Sequence, residues 1–242
     1  MWNNLAAEEK AELAGACTIE DAREIGKDIQ KKECKDAEGW TVLHRAARNG
    51  PEDTTRLLLD RRTDIECKDA EGWTAVHRAA RSGQDATPRF LLDRGTDIDY
   101  RDAEGWTALH RSARNGQVAA ARLLFDRGAD TGCRDAEGWT ALDHAACNGP
   151  EAAARLLLGR GADIEGKDAD GWTALHHASR NGEEATAWLL LDSGADIECK
   201  DAEGWTALHC AARNGQDAAA RLDRGADSEA MTWRQDSAVS ER

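Results

Sequence analysis

An all-α solenoid is the fold class the sequence predicts, built of helix-turn-helix units with hairpin-like connecting loops. Three observations point to it. Trp40, Trp73, Trp106, Trp139, Trp172 and Trp205 stand 33 residues apart, each inside Gly-Trp-Thr, and a fixed period of that length marks a stack of repeats. Each period holds two short stretches with helical spacing of apolar residues, separated by glycine-containing turns. Neither stretch exceeds about ten residues, too short to persist as an isolated helix, so each unit has to borrow its neighbour's surface.

The best-formed unit is DAEGWTALHRSARNGQVAAARLLFDRGADTGCR, residues 102–134. Its first helix is expected to begin after Thr107, whose hydroxyl can accept an N–H that the first turn leaves unpaired. It is expected to stop at Asn115-Gly116, where glycine tolerates left-handed backbone. Leu109, Ser112 and Ala113 then share one face, small enough for a neighbour to approach closely, with His110, Arg111 and Arg114 on the other. The second helix is expected from Val118 to about Arg127, burying Leu123, Leu124 and Phe125 and ending at Gly128. The remaining ADTGCRDAEG carries turn residues at both ends and reads as an extended hairpin to the next unit.

The same pattern, kept in register, divides the chain into 36–68, 69–101, 102–134, 135–167 and 168–200, with a short sixth unit at 201–229. In that last unit Arg221-Leu222-Asp223 stands where residues 56–60 read Arg-Leu-Leu-Leu-Asp, and its C-terminal end is expected to fray. Residues 1–35 have helical composition, and Gly26-Lys27-Asp28-Ile29 echoes the Gly-Ala-Asp-Ile of later units, which suggests a helical cap or degenerate repeat. The tail, 230–242, has no periodicity and is expected to be disordered.

The unit resembles the ankyrin repeat. Thr107, Leu109, His110 and the neighbourhood of Ala113, then the Asn115-Gly116 turn and Gly128-Ala129-Asp130, follow that family's Thr-Pro-Leu-His-x-Ala pattern and its 33-residue period. The resemblance covers about 36–229. It implies a solenoid whose first-helix face and hairpin tips form a concave surface for another protein. There are departures. The family proline is replaced by Val42, Ala75, Ala108, Ala141, Ala174 and Ala207, removing a residue pre-set for the first helical position. The second helices are rich in alanine. Arg62 stands where other units have glycine, at a cost of about 1 kcal/mol if the backbone there is left-handed. Pro88 falls inside a second helix, which Thr87-Pro88 can restart as cap and first residue only by shortening it.

Composition narrows the function. A net charge of −14 from 32 basic and 46 acidic residues repels nucleic acid and anionic membrane surfaces alike. No stretch approaches the roughly 18 apolar residues of a membrane span, and the opening segment lacks the basic start and apolar run of an export signal. Charge is uneven: the chain is nearly neutral as far as Arg134 and acidic beyond it, with 2 basic and 7 acidic residues in 168–200. Cys34, Cys67, Cys133 and Cys199 occupy one equivalent site. Such sites on stacked elements lie about 8–10 Å apart, beyond the roughly 7 Å a disulfide can bridge, so free thiols in a reducing, cytoplasmic compartment are expected, in a monomer.

No phosphate-cradling loop, nucleophile elbow or Cys-x-x-Cys pair occurs, and neither catalysis nor a cofactor is expected. His44, His77, His110, His176 and His209 recur once per unit, too far apart to share a metal, and are expected to hold the loops by hydrogen bonds. Where the first three units carry Arg45, Arg78 and Arg111, the next three carry His144, His177 and Cys210, and Cys147 replaces another arginine. Zinc on His144, Cys147 and His177, or a thiol-responsive patch, is one alternative; drift among duplicated units is the plainer one, and no metal is expected. The candidate partner-binding surface is the tryptophan ladder of Trp40, Trp73, Trp106, Trp139, Trp172 and Trp205 with the arginines beside it: Arg45, Arg48, Arg78, Arg81, Arg111, Arg114, Arg180 and Arg213. Trp and Arg are the residues enriched at binding hot spots, while a cation–π stack serving only as packing is the competing reading. The expected partner is another protein, offering acidic and aromatic or apolar groups to the first three units. A further alternative is that the chain is the recognition region of a larger signalling or regulatory protein. If the stripe binds, Arg111→Glu is expected to weaken binding in a salt-dependent way with little thermal effect; unchanged affinity with a large drop in melting temperature would mark the stripe as scaffold.

Stability in a solenoid sums unit and interface contributions, and the irregular units lie at 36–101 and after 201. Hydrogen exchange should therefore show its strongest protection between about 102 and 200; uniform protection along the array would contradict this.

Overall fold

The computed structural model describes residues 35–60, 63–83 and 86–214. Among them are eleven helices: α1 (Val42–Asn49), α2 (Glu52–Asp60), α3 (Ala75–Ser82), α4 (Ala86–Asp93), α5 (Ala108–Arg114), α6 (Val118–Asp126), α7 (Ala141–Asn148), α8 (Glu151–Leu158), α9 (Ala174–Asn181), α10 (Glu184–Asp192) and α11 (Ala207–Asn214). The odd-numbered helices pack side by side in one row and the even-numbered ones in a second row behind it. Leu58, Leu91, Leu124, Leu157 and Leu190, one in each of the first five units and all fully buried, form the spine of the core between the rows. Alanines such as Ala79, Ala80, Ala113, Ala145 and Ala146 let the helices of the first row approach closely. The N-terminal cap, Arg62, the shortened end of the sixth unit and the tail lie outside the described residues.

Thr107 is the N-cap of α5, as its position suggests, and Gly116 and Gly128 end the two helices of that unit with positive φ. Two details differ from the sequence pattern. Of α6, Leu124 is fully buried, whereas Leu123 and Phe125 are only partly so, because just one row of the helix faces the spine. In α5, residues 108 to 113 are all buried, His110 and Arg111 included. Its neighbours, its own second helix and the tryptophan layer cover the helix on every side, and only its last residue, Arg114, stays exposed. Pro88 lies in the first turn of α4 with Ala86 and Thr87 ahead of it, where its missing N–H has no intrahelical acceptor in any case; the helix is not restarted at the proline.

The loops are tied rather than paired as strands. In each, the aspartate N–H donates to the tryptophan carbonyl four residues on, as between Asp102 and Trp106 at 2.9 Å, and one backbone bond crosses to the next loop, as from Ala136 to Glu104 at 3.1 Å. Close approach here requires glycine. Gly105 has φ +81°, and a Cβ on it would fall 2.8 Å from the amide nitrogen of Ala136.

The histidines complete the seam. Thr41 N–H donates to Nδ1 of His44, which leaves Nε2 as the donor to the Trp73 carbonyl in the next unit at 2.8 Å. His77, His110 and His176 repeat the bond to Trp106, Trp139 and Trp205 at 3.0–3.1 Å. His209 keeps the Thr206 contact, and Asp143 replaces histidine in the fourth unit, capping Thr140 alone. Each linking histidine is therefore a neutral imidazole. Burial lowers the pKa of His44, His77 and His176, and burial with the neighbouring His144 takes His110 from 6.5 down to about 4.

The unfolded chain thus binds protons below pH 6.5 that the folded chain refuses until a lower pH. Stability is full above 6.5 and declines as pH falls toward about 4. Thermal melts should show Tm dropping steadily between about pH 7 and pH 5, before most carboxylates protonate; a flat Tm across that range would refute the role given to these histidines.

Candidate functional site

The sequence-predicted residues come together in a single ladder, and the loop aspartates organise it. In the third unit Asp102 Oδ1 accepts from the backbone N–H of Glu104 and Trp106, both at 2.9 Å. This turns the Trp106 ring against its neighbours and leaves Oδ2 facing the first helix. There Arg111 donates to Asp102 Oδ2 at 2.5 Å and to Glu104 at 2.9 Å. The guanidinium carbon sits 4.0 Å from the ring centroids of both Trp73 and Trp106. Arg78 repeats the arrangement between Trp40 and Trp73, at 4.1 and 4.0 Å, bonded to Asp69 and Glu71. Arg45 bonds Asp36 and lies 5.6 Å from Trp40.

The fourth and fifth units keep the geometry with imidazole in place of guanidinium. His144 Nε2 lies 2.7 Å from Asp135 Oδ2, with its ring 4.0 Å from Trp106 and 5.0 Å from Trp139. His177 lies 3.0 Å from Asp168 Oδ2, and 4.0 and 5.2 Å from Trp139 and Trp172. Burial holds the His144 pKa down, so it donates as a neutral ring. For Asp135, burial acts to raise the pKa, but the bonds from His144 and from the Trp139 backbone outweigh it and the carboxyl stays below its ordinary value. Cys147 belongs to a different contact: its sulfur accepts from Asn148 at 3.1 Å and Asn181 at 3.0 Å. The two histidines are thus committed to separate aspartates, and among the described residues no group of three or more His, Cys, Asp or Glu is placed to hold a metal ion.

Two rows of arginine are now distinct. The inner row, Arg45, Arg78 and Arg111, lies within the stack; Arg78, Arg111, Trp73 and Trp106 are each no more than 9% exposed. The outer row, Arg48, Arg81, Arg114, Arg180 and Arg213, is exposed, and each member lies 5.1–5.7 Å from the tryptophan of its own unit. Trp40, Trp139, Trp172 and Trp205 are partly exposed. The carboxylates belong to the site although no motif marks them. Asp36, Asp69, Asp102, Asp135 and Asp168 were legible as partners, since each stands nine residues before the arginine or histidine it binds in the first five units.

With this geometry in view, comparison with known families gives a plain result. A family model described as ankyrin repeats (3 copies) matches residues 13–102, 89–168 and 161–231. The chain belongs to the ankyrin repeat family, whose repeats serve generally as protein–protein interaction modules. A search of curated proteins finds no match.

Burial changes what Arg111 is expected to do. Removing it leaves the Asp102 side chain, fully buried, without its cation, and breaking one half of a buried pair costs about 3–5 kcal/mol. Arg111→Ala and Arg111→Glu should therefore both lower stability in urea by about that amount, while Arg114→Ala, an exposed cation–π partner, should cost about 1 kcal/mol or less. Equal losses at the two positions would refute the inner and outer distinction.

Proposed function

We propose that the chain is a protein-interaction module that binds a partner polypeptide along the face carrying the tryptophan ladder, with acidic and apolar groups of the partner lying over the first three units. The observation that carries this is the outer row. Arg48, Arg81 and Arg114 are exposed, form no ion pair among the described residues, and present their donors at the spacing of the repeat over aromatic surface. A guanidinium on an indole face is already partly desolvated, so a partner carboxylate meets it at reduced cost. Arg81 also sits in a positive field: partial burial, then Arg111, Arg78 and Arg48, hold its pKa below the usual value.

The inner arginines, with Trp73 and Trp106, support this surface from beneath, while the exposed parts of Trp40, Trp139, Trp172 and Trp205 extend it along the array. A monomer in a reducing, cytoplasmic compartment suits this reading, because Cys133, Cys147, Cys199 and Cys210 are free thiols, which persist where glutathione keeps them reduced. No described helix is long and apolar enough to cross a membrane.

The test compares the wild-type chain with Arg48→Glu, Arg81→Glu and Arg114→Glu combined. Affinity for a captured partner should fall by about tenfold or more in the variant and weaken with salt in the wild type, with Tm nearly unchanged. Capture unaffected by the triple substitution would remove this face as the binding surface.

A further inference from the structure

Among the described residues the ladder has one gap. Between Trp172 and Trp205, the position held by Arg78, Arg111, His144 and His177 in earlier units belongs to Cys210, whose side chain is too short to reach between the rings. A cavity of about 600 Å³ lies there, lined by Trp172, Trp205, Asp201, Glu203 and Cys210 among others. Asp201 is prepared like the other loop aspartates: Oδ1 accepts from Glu203 N–H at 2.9 Å and Trp205 N–H at 2.8 Å. Its Oδ2 has no partner among the described residues, whereas the equivalent oxygen binds an arginine or histidine in all five earlier units.

We infer that this slot receives the guanidinium of an arginine from a bound partner polypeptide, an inference that rests on the chain being an interaction module. The protein supplies its own template. In the second and third units an aspartate and a glutamate two residues later, Asp69 with Glu71 and Asp102 with Glu104, hold a guanidinium between two tryptophans. Asp201 and Glu203 repeat that carboxylate pair, and Trp172 and Trp205 repeat the walls. The charge is right as well. Asp168, Asp170, Asp201 and Glu203 outnumber Arg180 and Arg213 around the cavity. Asp168 is engaged by His177, and the two arginines lie over their own tryptophans in the outer row. A planar, forked cation suits a slot between two rings with carboxylates at its edge; the compact ammonium of lysine offers no face to stack.

The experiment titrates the full chain with the peptide Gly-Gly-Arg-Gly-Gly and with its lysine and citrulline counterparts, followed by calorimetry. The arginine peptide should bind at least about tenfold more tightly than either counterpart, and Asp201→Asn should weaken it about tenfold or more. Cys210→Arg fills the slot from within. It should abolish peptide binding and raise Tm by a few degrees, showing that the variant is folded.

Three results overturn the inference: no preference for arginine over citrulline, peptide binding that survives Cys210→Arg, or binding seen only after Arg221, Arg224, Arg234 and Arg242 are all changed to glutamine, which would make the chain itself the occupant. Failure here is separable from failure of the module reading. Partner capture that still depends on Arg48, Arg81 and Arg114 would leave that reading in place and remove only the arginine slot.

Discussion

The loops of Asp69, Asp102, Asp135 and Asp168 each bury a carboxylate at the seam between two units, and the rest of the array is arranged around meeting the cost of that burial. Taking a carboxylate out of water costs several kcal/mol unless its oxygens are bonded. Asp102 shows how it is met: two backbone N–H groups serve one oxygen and Arg111 serves the other. The arginine is then buried in turn, and two tryptophan faces take the place of its hydration shell. Those rings belong to successive units. One side chain therefore closes its own loop, and the same residue bolts its unit to the one before.

The histidine bond works in the opposite direction along the chain. His110 reaches forward to the Trp139 carbonyl while Arg111 reaches back to the Trp73 ring, so adjacent residues on one helix clasp both neighbours. Exposed pairs add a further line of contacts at the ends of the second helices, Arg94 to Asp60, Arg127 to Asp93 and Arg160 to Asp126, though such pairs contribute little each in water. The strength of the stack resides in the buried seam, and the exposed outer arginines lie outside it.

Replacing arginine by histidine along the inner row changes electrostatics more than packing. His144 fills the space between Trp106 and Trp139 yet remains uncharged, so the buried Asp135 keeps its charge without a full countercharge. The later units are also the acidic ones by composition. The array therefore grades from a nearly neutral first half to an acidic second half, and a single extended partner would meet both.

Much of the fold was legible in the sequence for a simple reason: a solenoid's long-range contacts are a short-range pattern repeated. The period, the Thr107 cap, the glycine stops and the joining role of the histidines follow from local chemistry recurring every 33 residues. The site was legible only in its membership. Helical spacing assigned Arg111 and Arg114 to one polar face, but which of them is buried depends on where the neighbouring unit's tryptophan lies, and no local pattern carries that information. The partial exposure of Leu123 and Phe125, the pairing of Asp102 with Arg111, and the empty place beside Cys210 were decided in the same way, by how one unit rests on the next. The sequence by itself determined the unit and its repetition; the tertiary structure decided which repeated side chains became seam and which became surface, because burial is a property of the stack and of no single repeat.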